Sequence, residues 1–161
     1  MMDDIAVFKQ LSLAEQLSRV ARLWRTVADR KLTSLGLTHS RWTVLWKLKT
    51  LNDHVSQKTL ANALEIELAS LMRTLSQLES HGLIVRDCCE SDKRVRIVSF
   101  TENGIALMTQ VEGRILALRR NILANIDEAA LTQFETVLET ITHNALHQLN
   151  DNHVEIEESV T

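Results

Sequence analysis

The chain has 161 residues, is 45% apolar and 24% charged, and contains four glycines and no proline. That composition suits an ordinary globular protein built from long, uninterrupted helices, and no apolar run approaches the roughly 18 residues of a membrane span. The net charge of −3 hides a split, because residues 1–100 hold 15 Lys/Arg against 11 Asp/Glu whereas residues 101–161 hold 3 against 10, so one end suits phosphates and the other does not.

The opening MMDDIAVFKQ lacks a basic stretch followed by an apolar core, so no secretory signal is expected and the expected location is cytoplasmic. Residues 12–35 form the first strong helix, with Leu13, Leu17, Val20, Trp24 and Val27 at three- and four-residue steps and Gly36 as its stop. Thr38 or Ser40 caps a second helix that runs to about Leu51 and buries some of Trp42, Leu45, Trp46 and Leu48. Asn52–His54 reads as a turn. Ser56 then caps the short helix QKTLANAL, and Glu65-Ile66-Glu67 leads tightly into a helix ending at Gly82. Two helices joined by so short a turn make a helix-turn-helix.

Leu83–Cys88 and Val95–Phe100 are rich in β-branched residues and flank Cys89–Arg94, which makes a hairpin wing. Thr101 caps a helix with Ile105, Met108, Val111, Ile115, Leu118 and Ile122 in repeat, and Asp127 caps a last one bearing Leu131, Phe134, Leu138, Ile141 and Leu149. The expected fold is mainly α with a small β-hairpin wing: a winged helix-turn-helix over 38–100, flanked by dimerisation helices in 1–37 and 101–149. One winged module cannot cover that much apolar surface, so the flanking helices are expected to pack on each other and on a second subunit. The acidic, aperiodic stretch 150–161 is expected to be a flexible tail.

The helix over 68–82 places Leu68, Leu71, Leu75 and Leu78 on one face and Ser70, Arg73, Thr74 and Gln77 on another. A polar face is the default on any surface helix. On the second helix of a helix-turn-helix, followed by a wing, it reads as a groove-reading face: Arg73 suits a guanine edge, and the others suit phosphates or base edges. At the hairpin tip Arg94 suits a narrow A·T-rich minor groove, with Asp92 bracing Arg94 or Arg96 by an ion pair. Arg86, Lys93 and Lys58 are weaker candidates for phosphate contacts.

At these residues the chain resembles a known family. SLMRTLSQLESHGLIVRDCCESDKRVRIVSFTENG is similar to the core of the MarR family of transcription regulators, with Asp92–Arg94, Thr101 and Gly104 matching its wing signature. The stretch VARLWRTVADRKLTSLGLTHSRWTVLWKL is similar to the SlyA/RovA branch. Ala69, Lys93 and Phe100 depart from the usual proline, arginine and leucine. The resemblance implies an obligate homodimer on a pseudo-palindromic operator, with Arg73 in the major groove and Arg94 in the minor groove. It also implies a pocket for a small aromatic carboxylate, with Arg22, Arg25 and Trp42 at matching positions; two arginines and an indole suit a benzoate-like anion.

Three other readings compete. Cys89 lies at the start of the wing near Arg86, Lys93 and Arg94, cations that favour a reactive thiolate, so a thiol-redox sensor is the alternative. Cys88 and Cys89 are adjacent, which leaves no CxxC motif and no disulfide framework. His143 and His147 have zinc-gripping spacing but supply only two ligands, with His153 in the tail, so neither metal nor cofactor is expected. An enzyme is disfavoured, because there is no nucleophile–base motif and no glycine-rich phosphate loop.

Overall fold

The computed structural model describes the backbone of residues 2–158 and the side chains of residues 5–150. The chain divides into two compact units, Met1–Ile122 and Leu123–Thr161. The first begins with a short helix, α1 (Met2–Lys9), which the apolar periodicity did not announce. Ser12 then opens α2 (Leu13–Thr33) with a reciprocal capping box, its hydroxyl accepting from the Glu15 N–H while Glu15 accepts from the Ser12 N–H. α2 buries Ala28 and Leu32 and leaves Leu13, Val20, Leu23 and Val27 exposed.

α3 (His39–Thr50) inserts Val44, Leu45 and Leu48 into the core. Its exit is unusual: Asn52, Asp53 and His54 all have left-handed φ, at 64°, 63° and 49°. Side chains leading to the sheet hold this strained turn, since Asp53 Oδ1 accepts from the Phe100 N–H at 2.9 Å and His54 Nδ1 lies 2.7 Å from the Ser99 hydroxyl. The two-residue strand β1 (Val55–Ser56) follows, then α4 (Gln57–Leu64), capped by Ser56. Glu65, left-handed at φ 54°, ends α4 and turns the chain into α5 (Leu68–Ser80).

β2 (Ile84–Cys88) and β3 (Arg96–Phe100) form the antiparallel wing, and β1 adds to it in the order β1-β3-β2. A strand as short as β1 carries almost no periodic signal, so pairing with β3 alone defines it. Leu45, Leu48, Leu60, Leu71, Leu75, Leu78, Ile84 and Val98 form a fully buried core beneath the helix-turn-helix. Leu68, expected on the same apolar face, is instead exposed, because it sits in the first turn of α5, before that face meets the core.

α6 (Glu102–Ile122) starts where the wing ends. The Thr101 hydroxyl donates to the Gly82 carbonyl at 2.6 Å and accepts from the Gly104 N–H, while the Thr101 N–H donates to the Leu83 carbonyl. A Cβ at Gly104 would lie 2.0 Å from that Leu83 oxygen, so only glycine fits this crossing.

In the second unit α7 (Glu128–Glu158) is one continuous helix. It runs through Asn150–Glu158, so the expected end near Leu149 is corrected: with neither proline nor glycine there, nothing breaks the turns. Residues 159–161, the end of the expected flexible tail, lie outside the described residues, as does the side chain of His153. None of the described α7 side chains is buried, and Phe134, Val137, Leu146 and Leu149 are each at least half exposed.

Candidate nucleic-acid interface

α5 is the second helix of the helix-turn-helix, and its core side seats Leu71, Leu75 and Leu78. Ser70, Arg73 and Gln77 lie on its solvent side. Arg73 has no hydrogen-bond or ion-pair partner among the described residues, so its guanidinium keeps its full set of donors. Thr74 leaves this group. It is 8% exposed, because its step of three from Leu71 and four to Leu78 turns it onto the flank of the core stripe. Arg41, a residue that the periodic reading passed over, reaches from α3 and donates from Nε to Gln77 Oε1 at 3.2 Å.

At the wing tip Asp92 accepts from Arg94 at its backbone N–H (3.0 Å), Nε (3.1 Å) and Nη2 (3.3 Å). These bonds, led by the one from the guanidinium, hold the Asp92 carboxyl below its ordinary pKa. The Arg94 side chain is nevertheless 91% exposed. Lys93 and Lys58 are exposed as well.

Arg86 is not available in the same way. Its Nη2 lies 2.6 Å from Glu79 Oε2 and 3.3 Å from the Ser76 hydroxyl, and its side chain is 19% exposed. Arg86 ties β2 to α5 in the single chain, and its bonding lowers the Glu79 pKa. Cys89 Sγ lies 3.1 Å from the Ser91 hydroxyl. Its pKa is lowered first by that bond and then by the N–H groups of Asp92 and Ser91. The nearby arginines, engaged by Glu79 and Asp92, are not the cause.

A cavity of about 540 Å³ opens between α2, α3, α4 and α6. Trp24, Trp42 and Trp46, all three tryptophans of the chain, line it, together with Arg25, His39 and Lys47. Asp29 Oδ1 accepts from Trp42 Nε1 and lies beside His39 Nδ1, each at 2.8 Å, while its other oxygen is 3.9 Å from Arg25. Burial would raise the Asp29 pKa, but the bonds from Trp42 and His39 outweigh it and the pKa is lowered. Of the three residues expected at a ligand pocket, Arg25 and Trp42 meet here. Arg22 does not: it lines a separate groove with Leu11, Ala14 and Glu15, about one turn nearer the start of α2 than Arg25.

The sequence profile of the MarR family matches residues 37–95, from the N-cap region of α3 to the wing tip. The crystal structure of the transcriptional regulator PA3341 superimposes with a TM-score of 0.79 at 32% identity, over 84% of this chain and 99% of that one. The chain belongs to the MarR family of transcriptional regulators. Two more distant structures share the MarR fold. CouR from Rhodococcus jostii RHA1, bound to p-coumaroyl-CoA, aligns at 23% identity over 83% of this chain and 93% of its own, with a TM-score of 0.74. A MarR-family regulator from Listeria monocytogenes, complexed with a 26mer DNA, aligns at 19% identity over 84% and 89%, with a TM-score of 0.75.

In this MarR-family chain, sequence reasoning missed Arg41 at the recognition face, and Asp29, His39 and Lys47 at the cavity. A single charged residue on a helix carries no periodic signature. Only the crossing of α3 with α5, and of α2 with α3, brings these groups to their partners.

Proposed function

We propose that this protein is a homodimeric, sequence-specific regulator of transcription that inserts α5 into the major groove and the Arg94-tipped wing into the adjacent minor groove of a pseudo-palindromic operator. The carrying observation is the exposed row Ser70, Arg73 and Gln77 on the second helix of the helix-turn-helix, with Arg73 free of any partner among the described residues. Lys93 and Lys58 supply phosphate contacts, and Asp92 limits the conformations of Arg94 before it enters the groove. The exposed apolar residues of α1, α2 and α7 supply the dimer interface. Such a regulator works in the cytoplasm, where its operator is, and the stretch beginning VARLWRTVADR favours a SlyA/RovA-like branch.

A gel shift at rising salt tests this reading. Affinity for the preferred duplex should fall steeply, as release of counterions from several phosphates requires. Arg73→Ala should lose about 1–3 kcal/mol of binding and relax base preference, and Arg94→Ala should weaken binding mainly to A·T-rich flanks. Variants that bind every duplex as well as the parent does would sink both groove assignments.

The tryptophan-lined cavity suits a small aromatic carboxylate, its ring against the indoles and its charge at Arg25 or Lys47. Asp29 already occupies the Trp42 and His39 donors, so an anionic ligand must displace it or settle at Arg25 or Lys47. Because all three tryptophans line the cavity, titration with benzoate-type acids should quench intrinsic fluorescence. A flat titration to millimolar concentration removes the effector from the reading.

The lowered pKa of Cys89 favours one second reading, a thiol sensor. The thiolate takes an oxygen from hydrogen peroxide and becomes sulfenate while the second oxygen leaves as water, which perturbs the loop at the wing tip. Thiol titration decides this: a pKa at or above that of free cysteine rejects it.

A further inference from the structure

Gln77 stands on the recognition face of α5, one turn beyond Arg73, and its carboxamide is held from the side by Arg41 of α3. A glutamine amide can be turned either way in a structure, and its orientation is settled by what its partner can do. Arginine donates and never accepts. The atom that receives Arg41 Nε at 3.2 Å is therefore the amide oxygen. An oxygen drawn toward α3 leaves the NH2 group as the end of the side chain open to a ligand.

This matters because an unconstrained glutamine reads adenine with both ends at once, its oxygen accepting from N6–H and its nitrogen donating to N7. With the oxygen engaged by a guanidinium on the α3 side, that bidentate pairing requires breaking the contact with Arg41. The NH2 group alone matches an edge that only accepts: guanine N7 and O6, or thymine O4. The positive charge of Arg41 beside the groove edge favours the same acceptors.

We propose that Arg41 is a specificity-positioning residue: by holding Gln77 Oε1 it makes Gln77 a donor-only reader, so each half-site carries guanine or thymine rather than adenine at the base that Gln77 faces. Arg41 acts through Gln77 and needs no base contact of its own. The proposal rests on the reading of α5 as the major-groove helix.

The test is selection of bound duplexes from a random pool by the full-length protein and its Arg41→Met, Gln77→Ala and Arg73→Ala variants, with folding checked by circular dichroism. Gln77→Ala should flatten preference at one position per half-site, where the parent selects guanine or thymine. Arg41→Met, which cannot donate, should move that same position toward adenine by roughly tenfold, the scale of one base contact. A uniform loss of affinity with unchanged preference would mean that Arg41 only touches phosphate, and would overturn the proposal. So would a Gln77→Ala variant that alters no position. If Arg73→Ala still changes preference in either case, the groove reading of α5 survives without the proposal. If none of the three variants changes preference, the groove reading itself fails.

Discussion

The winged module and α7 place their large apolar side chains in opposite ways. Between α3 and β3 six leucines, Leu45, Leu48, Leu60, Leu71, Leu75 and Leu78, are fully buried, while Ile66, Leu68, Met72 and Val85 stay partly open to solvent. Along α7, Phe134, Val137, Leu146 and Leu149 stay open to water in the single chain. The first region closes its core with help from Leu32 and Leu37 before it and Met108 and Val111 of α6 after it. The second leaves four large apolar side chains at least half exposed, the surface on which the proposed dimer rests.

Cutting a side chain from each region separates the two roles. Leu45→Ala should lower the stability of the folded chain by about 2–5 kcal/mol, read by chemical denaturation, because it empties a closed core. Phe134→Asp should barely change the unfolding of the winged module but raise the dimer dissociation constant at least about tenfold, read by sedimentation, since a buried aromatic contributes about 1.5–3 kcal/mol. A Phe134→Asp protein that remains a dimer at nanomolar concentration would break the comparison.

The same contrast decides how much was legible in the sequence. The periodic leucines of α5 and the β-branched runs of the wing announce their elements because core burial imposes a repeat. Ser56, Thr101 and Asp127 announce helix starts because an N-cap needs a short side-chain acceptor at one position. The exposed fate of the α2 stripe shows the limit: apolar spacing identifies a face but not what covers it. Thr74 lies on the flank of the core because two adjacent faces of a helix differ by less than one residue step, and the Arg86–Glu79 pair is not legible because its partners sit seven residues apart, across the α5–β2 turn.

The seam inside the first unit, where α2 and α6 meet α3 and α4, gives a smaller effect. Asp29→Asn should bind benzoate-type anions roughly tenfold more tightly than the parent does, read by tryptophan fluorescence, because the neutral amide competes less for Trp42 and His39 and no longer repels the ligand. Unchanged or weaker binding would show that the anion does not use those donors.

The smallest effect belongs to the α5–β2 tie. The folded pKa of Glu79 is held below its ordinary value of 4.5, so its contribution to stability is fully present above pH 4.5 and is lost as pH falls through the lower folded value. Glu79→Gln should flatten that acid limb. Because Glu79 is 40% exposed and screened by solvent, the loss at neutral pH should stay below about 1 kcal/mol. An acid limb identical to the parent's would show that the pair contributes nothing.

The crossing at Thr101 and Gly104 has a consequence for the operator. The last turn of α5, the root of the wing and the first turn of α6 meet there through Gly82, Leu83 and Thr101, with no room for even a methyl group. Helix and hairpin thus move as one caliper with fixed jaws. In the proposed complex, the distance from major-groove to minor-groove contact within one half-site tolerates no inserted base pair, and any latitude in operator length falls at the dyad between half-sites.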